Sequence, residues 1–201
     1  MSAKAEMRIK PVLEGAKVRL RPFADADWES MIDILEDRDV KVLTGSAKND
    51  READQRMDDA EREQIRNWYQ SRNQQTDRLD LAIIDRSTGV LVGEVVFNDY
   101  EPDTNITNFR ILIGPAGRNK GLGTEATALF LQYGFGMLAF HKVELEVYSF
   151  NPRAERAYQK NGFVLEGVRR QSFKFNDEYI DTKLYGLLRS EYLEKTERRG
   201  I

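Results

Sequence analysis

Cysteine is absent from the 201 residues. That excludes disulfides, thiolate-bound zinc, iron–sulfur clusters and a cysteine nucleophile. Histidine occurs once, as His141, so a multi-histidine metal site is excluded and no metal is expected. No apolar run nears the ~18 residues of a membrane span, and the N-terminus lacks an apolar signal core. A cytoplasmic protein without a membrane partner is expected. Charge of one sign is also missing: 31 Lys and Arg stand against 34 Asp and Glu, a net −3. This balance speaks against a dedicated nucleic-acid partner. What is present is an ordinary globular composition, 40% hydrophobic with 14 glycines. One domain with a sizeable core is the expectation.

The hydrophobic pattern divides the chain into short elements. Residues 1–10 are polar and read as a flexible tail. Lys17–Arg21 alternates and ends at Pro22, as a short strand does. Asp25 or Asp27 can cap a helix that carries Trp28, Met31, Ile32 and Leu35 on one face. Residues 38–57 are charged and weakly patterned, read as a loop with broken helical turns. Asp58 with Glu61 forms a capping box before a helix containing Ile65, Trp68 and Tyr69. Leu79–Asp85, Val90–Phe97 and Ile106–Ile113 read as three strands of an antiparallel meander. A helix follows Gly114–Gly123, then a strand over Val143–Val147. Asn151-Pro152 opens a short helix that stops near Asn161-Gly162. Val168–Phe175 and Tyr179–Leu187 close the chain as a hairpin. The order implies an α+β fold: a mixed, mostly antiparallel sheet with helices on both faces.

The segment Gly114–Ala126 is the most informative. A strand ends, the chain turns on glycines, and a helix begins. Such glycines let the backbone approach a ligand. The first turn of the helix offers unpaired N–H groups with partial positive charge. Arg118 and Lys120 add formal charge, so the segment reads as a cradle for phosphate or diphosphate. The Walker A pattern fails, because Asn119 stands where Gly is required and Gly121 follows Lys120. Gly121-x-Gly123-x-x-Ala126 matches the dinucleotide fingerprint, with Glu146 downstream. That fingerprint needs a turn directly after the strand, whereas here residues 114–120 intervene.

A third pattern, Arg/Gln-x-x-Gly-x-Gly/Ala, is present as Arg118-Asn119-Lys120-Gly121-Leu122-Gly123. Here the chain resembles the GNAT N-acetyltransferase superfamily. Glu14-Gly15-x-Lys17-Val18-Arg19-Leu20-Arg21-Pro22 is similar to the opening of its RimJ/RimL-type branch, as are Gly123–Ala126 and Tyr133-Gly134-Phe135. Asn151-Pro152-Arg153-Ala154-x-x-x-Tyr158-x-Lys160-x-Gly162-Phe163, then Glu166-Gly167, is similar to spermidine N-acetyltransferases. The resemblance spans about residues 12–190. It implies a single acetyltransferase domain over 11–193, with a tail at 194–201, and a sheet splayed at its centre in a V for the coenzyme.

The resemblance also implies roles. Acetyl-CoA is the expected co-substrate. Its diphosphate is expected at the backbone of Gly121, Leu122, Gly123 and Thr124, with Arg118, Asn119 and Lys120 beside it. The strand ending Arg110–Ile113, with Ile111, Leu112 and Ile113, supplies a backbone rail for the pantetheine arm, and Asn151 and Lys160 further contacts. Tyr158 occupies the general-acid position. A tyrosine near ~10 stays protonated at neutral pH and can donate to a thiolate whose acid titrates near ~8.5. Asn108 stands where related enzymes often carry a carboxylate, and it cannot act as a base. Glu94, which interrupts an apolar strand, is the first substitute, ahead of Asp99 and Glu101. Without cysteine no acetyl-cysteine forms, so direct attack by a primary amine in a ternary complex is expected.

The acceptor is left open among a protein N-terminus or peptide, a polyamine and another small amine. Acidic stretches Asp50–Glu63 and Asp99–Asp103 could attract a cation. Alternatives are an acyl-CoA sensor without turnover and an NAD-binding protein. Exposed sheet edges, and the habit of related enzymes, lead to the expectation of a homodimer or higher homo-oligomer.

Overall fold

A computed structural model of the chain describes residues 7–199. Strands β1 (Leu13–Glu14) and β2 (Val18–Arg21) are followed by four helices: α1 (Asp27–Glu36), α2 (Arg38–Thr44), α3 (Asp50–Asp54) and α4 (Asp59–Ser71). The meander is β3 (Leu79–Asp85), β4 (Leu91–Glu101) and β5 (Ile106–Ile113). Then come α5 (Leu122–Gly136), β6 (Lys142–Tyr148), α6 (Pro152–Asn161), β7 (Val164–Phe175), β8 (Glu178–Leu188) and α7 (Arg189–Arg199). One eight-stranded sheet results, in the order β1-β2-β3-β4-β5-β6-β8-β7. Every pairing is antiparallel except β5 with β6.

Strand alternation gives the sheet two buried faces. On one, Phe97, Phe109, Val143, Leu145 and Tyr185 pack with Ala126, Phe130 and Phe135 of α5 and Tyr158 of α6. The Phe97 and Phe130 rings stack at 4.0 Å. Burial of each such ring contributes about 2–3 kcal/mol. On the other face, Ala82, Ile84 and Leu112 meet Met31 and Ile34 of α1 and Tyr69 of α4.

The capping box at α4 forms as its sequence dictates: the Asp58 side chain accepts from Glu61 N–H, and Glu61 reaches back. Residues 38–57 differ from the expected loop, because α2 and α3 fill most of them. Asp37 and Asn49 cap these helices by accepting from Val40 and Glu52 N–H, and Gly45 ends α2 in the left-handed conformation. The expected tails differ as well. Met7 is fully buried in the larger cluster, and α7 runs through residues 194–199. Residues 1–6, 200 and 201 lie outside the described residues. β7 starts at Val164 rather than Val168. No helix among the described residues is long and apolar enough to cross a membrane. No group of three or more His, Asp or Glu among them could hold a metal ion.

Candidate active site

The glycine-rich loop leaves β5, makes a tight turn over Pro115–Gly117 and enters α5. Gly121 caps that helix at φ 78°, a conformation only glycine adopts without strain. The first backbone bond of the helix runs from Glu125 N–H to the Gly121 carbonyl. The N–H groups of Leu122, Gly123 and Thr124 precede it and lack a helical acceptor.

The loop's two cations already have carboxylate partners within the fold. The Arg118 guanidinium pairs with Asp37 and, at 3.0 Å, with Asp39, both at the start of α2. Lys120 Nζ lies 3.3 Å from the buried Asp85 carboxylate. Hydrogen bonds from Ser87, reinforced by Lys120, hold Asp85 below its ordinary range. Asn119 is exposed at φ 62°.

A third cation, unanticipated in the sequence reading, faces the cradle from β2. Lys17 Nζ donates to the Lys120 carbonyl at 3.3 Å, and a methyl on Gly121 would stand 3.4 Å from it. Among the described residues Lys17 has no carboxylate partner for its ammonium. Its own N–H is fixed by Glu125 at 3.0 Å, which ties β2 to α5. The only sequence signal was its place in the opening run that resembles the RimJ/RimL-type branch, 103 residues before Lys120.

Next to the cradle the sheet opens. β5 pairs with β6 only at Ile106↔Lys142, Thr107↔Val143 and Asn108↔Glu144. Beyond Asn108 the strands diverge, while β5 stays paired to β4 as far as Ile113. The β6-facing backbone edge of Phe109–Ile113 therefore has no strand partner. Ile111, Leu112 and Ile113 are only half-buried although their strand is interior. This is the expected splay.

Tyr158 lies on α6 at the side of that opening. Its ring is buried, packed edge-on to Phe109 (6.3 Å) and Phe163 (5.9 Å). Burial pushes its hydroxyl up to about 12, opposed by the charge of Arg110. The hydroxyl makes no hydrogen bond to another described residue. Asn161 Nδ2 donates to the Thr124 carbonyl at 3.2 Å, which fastens α6 to the cradle helix. Asn151 caps α6 by accepting from Ala154 N–H at 3.2 Å. Lys160 is exposed near the end of α6.

Glu94 lies on β4 opposite Ala82 and Leu112, and so on the face covered by α1 and α4. Tyr158 belongs to the other face. The two groups lie on opposite faces of the sheet, and the charge of Arg110 acts on both. The Tyr69 hydroxyl donates to the Glu94 carboxylate. Burial, then the neighbouring Asp80 carboxylate, push Glu94 up to about 7 against the pull of Tyr69, Arg110 and Arg78. Asp80 is itself buried and held by Arg78 through bonds of 2.8 and 2.7 Å. Fully buried Arg72 stands 3.6 Å from Asp80, stacked on Trp68 at 3.1 Å. Neither terminal nitrogen of Arg72 has a hydrogen-bond partner. Asn108 is tied to Asn98, its amide donating at 2.8 Å.

Known proteins share this architecture. Residues 17–164 match the family model for the acetyltransferase (GNAT) domain. The spermidine N(1)-acetyltransferase of Vibrio cholerae is 34% identical over 107 residues, which are 53% of this chain and 62% of that protein. The chain thus spans under two thirds of the length of this curated relative. Two crystal structures share the fold at 23% identity. One is spermidine N-acetyltransferase from Vibrio cholerae in complex with CoA and spermine, with a TM-score of 0.76 over 89% of this chain and 99% of that one. The other is a GNAT-family acetyltransferase from Bacillus anthracis, with a TM-score of 0.73 over 90% of this chain and 100% of that one. With the family model spanning most of its length, and with the cradle and splay in place, the chain belongs to the GNAT acetyltransferase family.

Proposed function

We propose that the chain transfers the acetyl group of acetyl-CoA directly to a primary amine. The observation that carries this reading is the splay between β5 and β6, with a diphosphate cradle at one end and a buried tyrosine at its side. The free N–H groups of Leu122, Gly123 and Thr124, with Lys17, hold the diphosphate. Gly121 makes the turn that aims them. Arg118, being paired, braces the loop against α2, and Asn119 and Lys120 complete its outer wall. Ile111, Leu112 and Ile113 offer backbone groups to the pantetheine arm, and Asn151 and Lys160 flank it from α6.

The amine enters from the face that carries Glu94. Its nitrogen forms a bond to the acetyl carbon as the carbon–sulfur bond breaks. Glu94 takes the amine proton through water, and Tyr158 gives its hydroxyl proton to the departing sulfur. At about 12 that hydroxyl is a weak acid, so its proton moves as charge develops on sulfur rather than before. Thiol release from acetyl-CoA against a panel of primary amines tests the reading. Amine-dependent release supports it. CoA binding without release on any amine favours the sensor reading, to which the bound Asn108 side chain lends support.

Self-association also belongs to this proposal. Edge strand β7 exposes Val164, Leu165 and Val168, about half of each side chain facing solvent. Light scattering after size exclusion is expected to show a dimer or larger assembly, and a monomer at working concentration would dismiss it.

A further inference from the structure

The side chain of Arg110 has no part in the roles given above. It stands two positions beyond the last β5–β6 pair and opposite Val96 of β4. Although β5 is an interior strand, Arg110 is exposed, because β6 has moved away. Its charge acts on Glu94 of β4, Tyr148 of β6 and Tyr158 of α6, three groups on three elements around the splay. Among the described residues it has no hydrogen bond or ion pair to a carboxylate.

The acidic groups on β6 and at the start of α2 have basic partners, some of them shared: Lys142 also binds Glu166, and Asp37 and Asp39 share Arg118. On β6 the core takes Val143, Leu145 and Val147, so Glu144 and Glu146 point to the face that Arg110 and Glu94 share. Glu144 is paired with Lys142 at 3.3 Å and Glu146 with Arg169 at 2.5 Å. Asp37 and Asp39 are bound to Arg118. Glu94 sits deeper, under Tyr69 and next to Asp80. Among these groups Arg110 is the cation without an ion-pair partner. An unpaired guanidinium there repels the second ammonium of a polycation and attracts a carboxylate.

We infer that Arg110 reads a carboxylate on the acceptor: the substrate is a primary amine that also carries an acidic group, and polyamines are turned away. A planar guanidinium can grip such a carboxylate through two parallel hydrogen bonds. The inference rests on the acetyltransferase reading and gives it a substrate class. It also parts this chain from the relatives named for spermidine.

The test compares matched acceptors in the thiol-release assay: 4-aminobutyrate against 4-aminobutyramide, 5-aminopentanoate against 5-aminopentanamide, and spermidine. For the wild-type protein kcat/KM is expected to be at least tenfold higher for the carboxylate member of a pair, and the ratio to shrink with added salt. Arg110→Gln is expected to bring the ratio to about one, Arg110→Lys to keep part of it, and Arg110→Glu to reverse it in favour of spermidine. The ratio within one variant is insensitive to loss of fold or of general catalytic power. Equal ratios in wild type and Arg110→Gln, or a wild-type preference for spermidine, would overturn the inference. If CoA binds but no acceptor releases thiol, it is the transferase reading that fails. Selection is then read from NMR line broadening of 4-aminobutyrate and spermidine by the CoA-loaded protein. Broadening confined to 4-aminobutyrate and lost in Arg110→Gln upholds it, and equal broadening of both overturns it.

Discussion

Replacing Glu94 by Gln removes the carboxylate but keeps its shape, and the pH profile shows what that carboxylate did. Burial and Asp80 bring Glu94 to about 7. It is then about one-tenth ionised at pH 6, half at pH 7 and nine-tenths at pH 8. An aliphatic acceptor amine titrates near ~10.4 and is neutral about once in 2,500 molecules at pH 7. If Glu94 takes the proton from the arriving ammonium, kcat/KM rises tenfold per pH unit below 7. It then levels off until the amine itself titrates. The Gln variant depends on amine already neutral in solution, so its profile climbs without a break through pH 7. Its loss at pH 7 is expected to be about 10²–10³-fold, within the usual range of general-base catalysis. The assay is thiol release from acetyl-CoA at constant ionic strength from pH 5.5 to 9.5. A break near 7 that survives Glu94→Gln would refute the assignment, as would a variant with wild-type activity at pH 7.

Stability should carry the same signature. An acid raised from 4.5 to about 7 on folding contributes stability that is complete below pH 4.5 and is lost as pH rises through 7. The effect is of order 2–3 kcal/mol after allowance for its residual exposure. Thermal melts should therefore decline less between pH 5 and 8 for Glu94→Gln than for wild type. Tyr158→Phe is expected to lower kcat about 100-fold while calorimetry finds the Kd for CoA within twofold of wild type. Lys17→Met should weaken CoA binding roughly three- to tenfold at low salt, and Lys17→Arg should restore it. Gly121→Ala places a methyl at φ 78° and should cost about 1–2 kcal/mol in denaturant melts, together with most CoA affinity.

Much of the frame was legible because its signals are local. The Asp58–Glu61 box, the Ser87–Gly89 turn and the Gly162 cap each depend on residues within a few positions, and each formed as read. Residues 38–57 were opaque for the opposite reason. Their two helices are short and carry little apolar periodicity. They are held by caps and by a distant partner: Asn176 bonds Asp50 across the fold, 126 residues away. The candidate site divides in the same way. The glycine pattern placed the cradle, but the carboxylates that occupy Arg118 lie 79 and 81 residues upstream. Glu94 stood out as a charge inside an apolar strand, whereas its pairing with Tyr69 and its closeness to Asp80 arise only when α4 and β3 pack against it. Arg110 was legible as the start of the rail strand, but nothing marked its side chain until β6 turned away from it.

The most direct measurement is a crystal structure of the protein with CoA and 4-aminobutyrate, since it locates both substrates at once. The diphosphate should rest on the N–H groups of Leu122–Thr124 within reach of Lys17. The pantetheine arm should lie between β5 and β6, with its sulfur beside the Tyr158 hydroxyl. A coenzyme bound elsewhere, or a splay closed by its own side chains under saturating CoA, would contradict the proposed chemistry at its root.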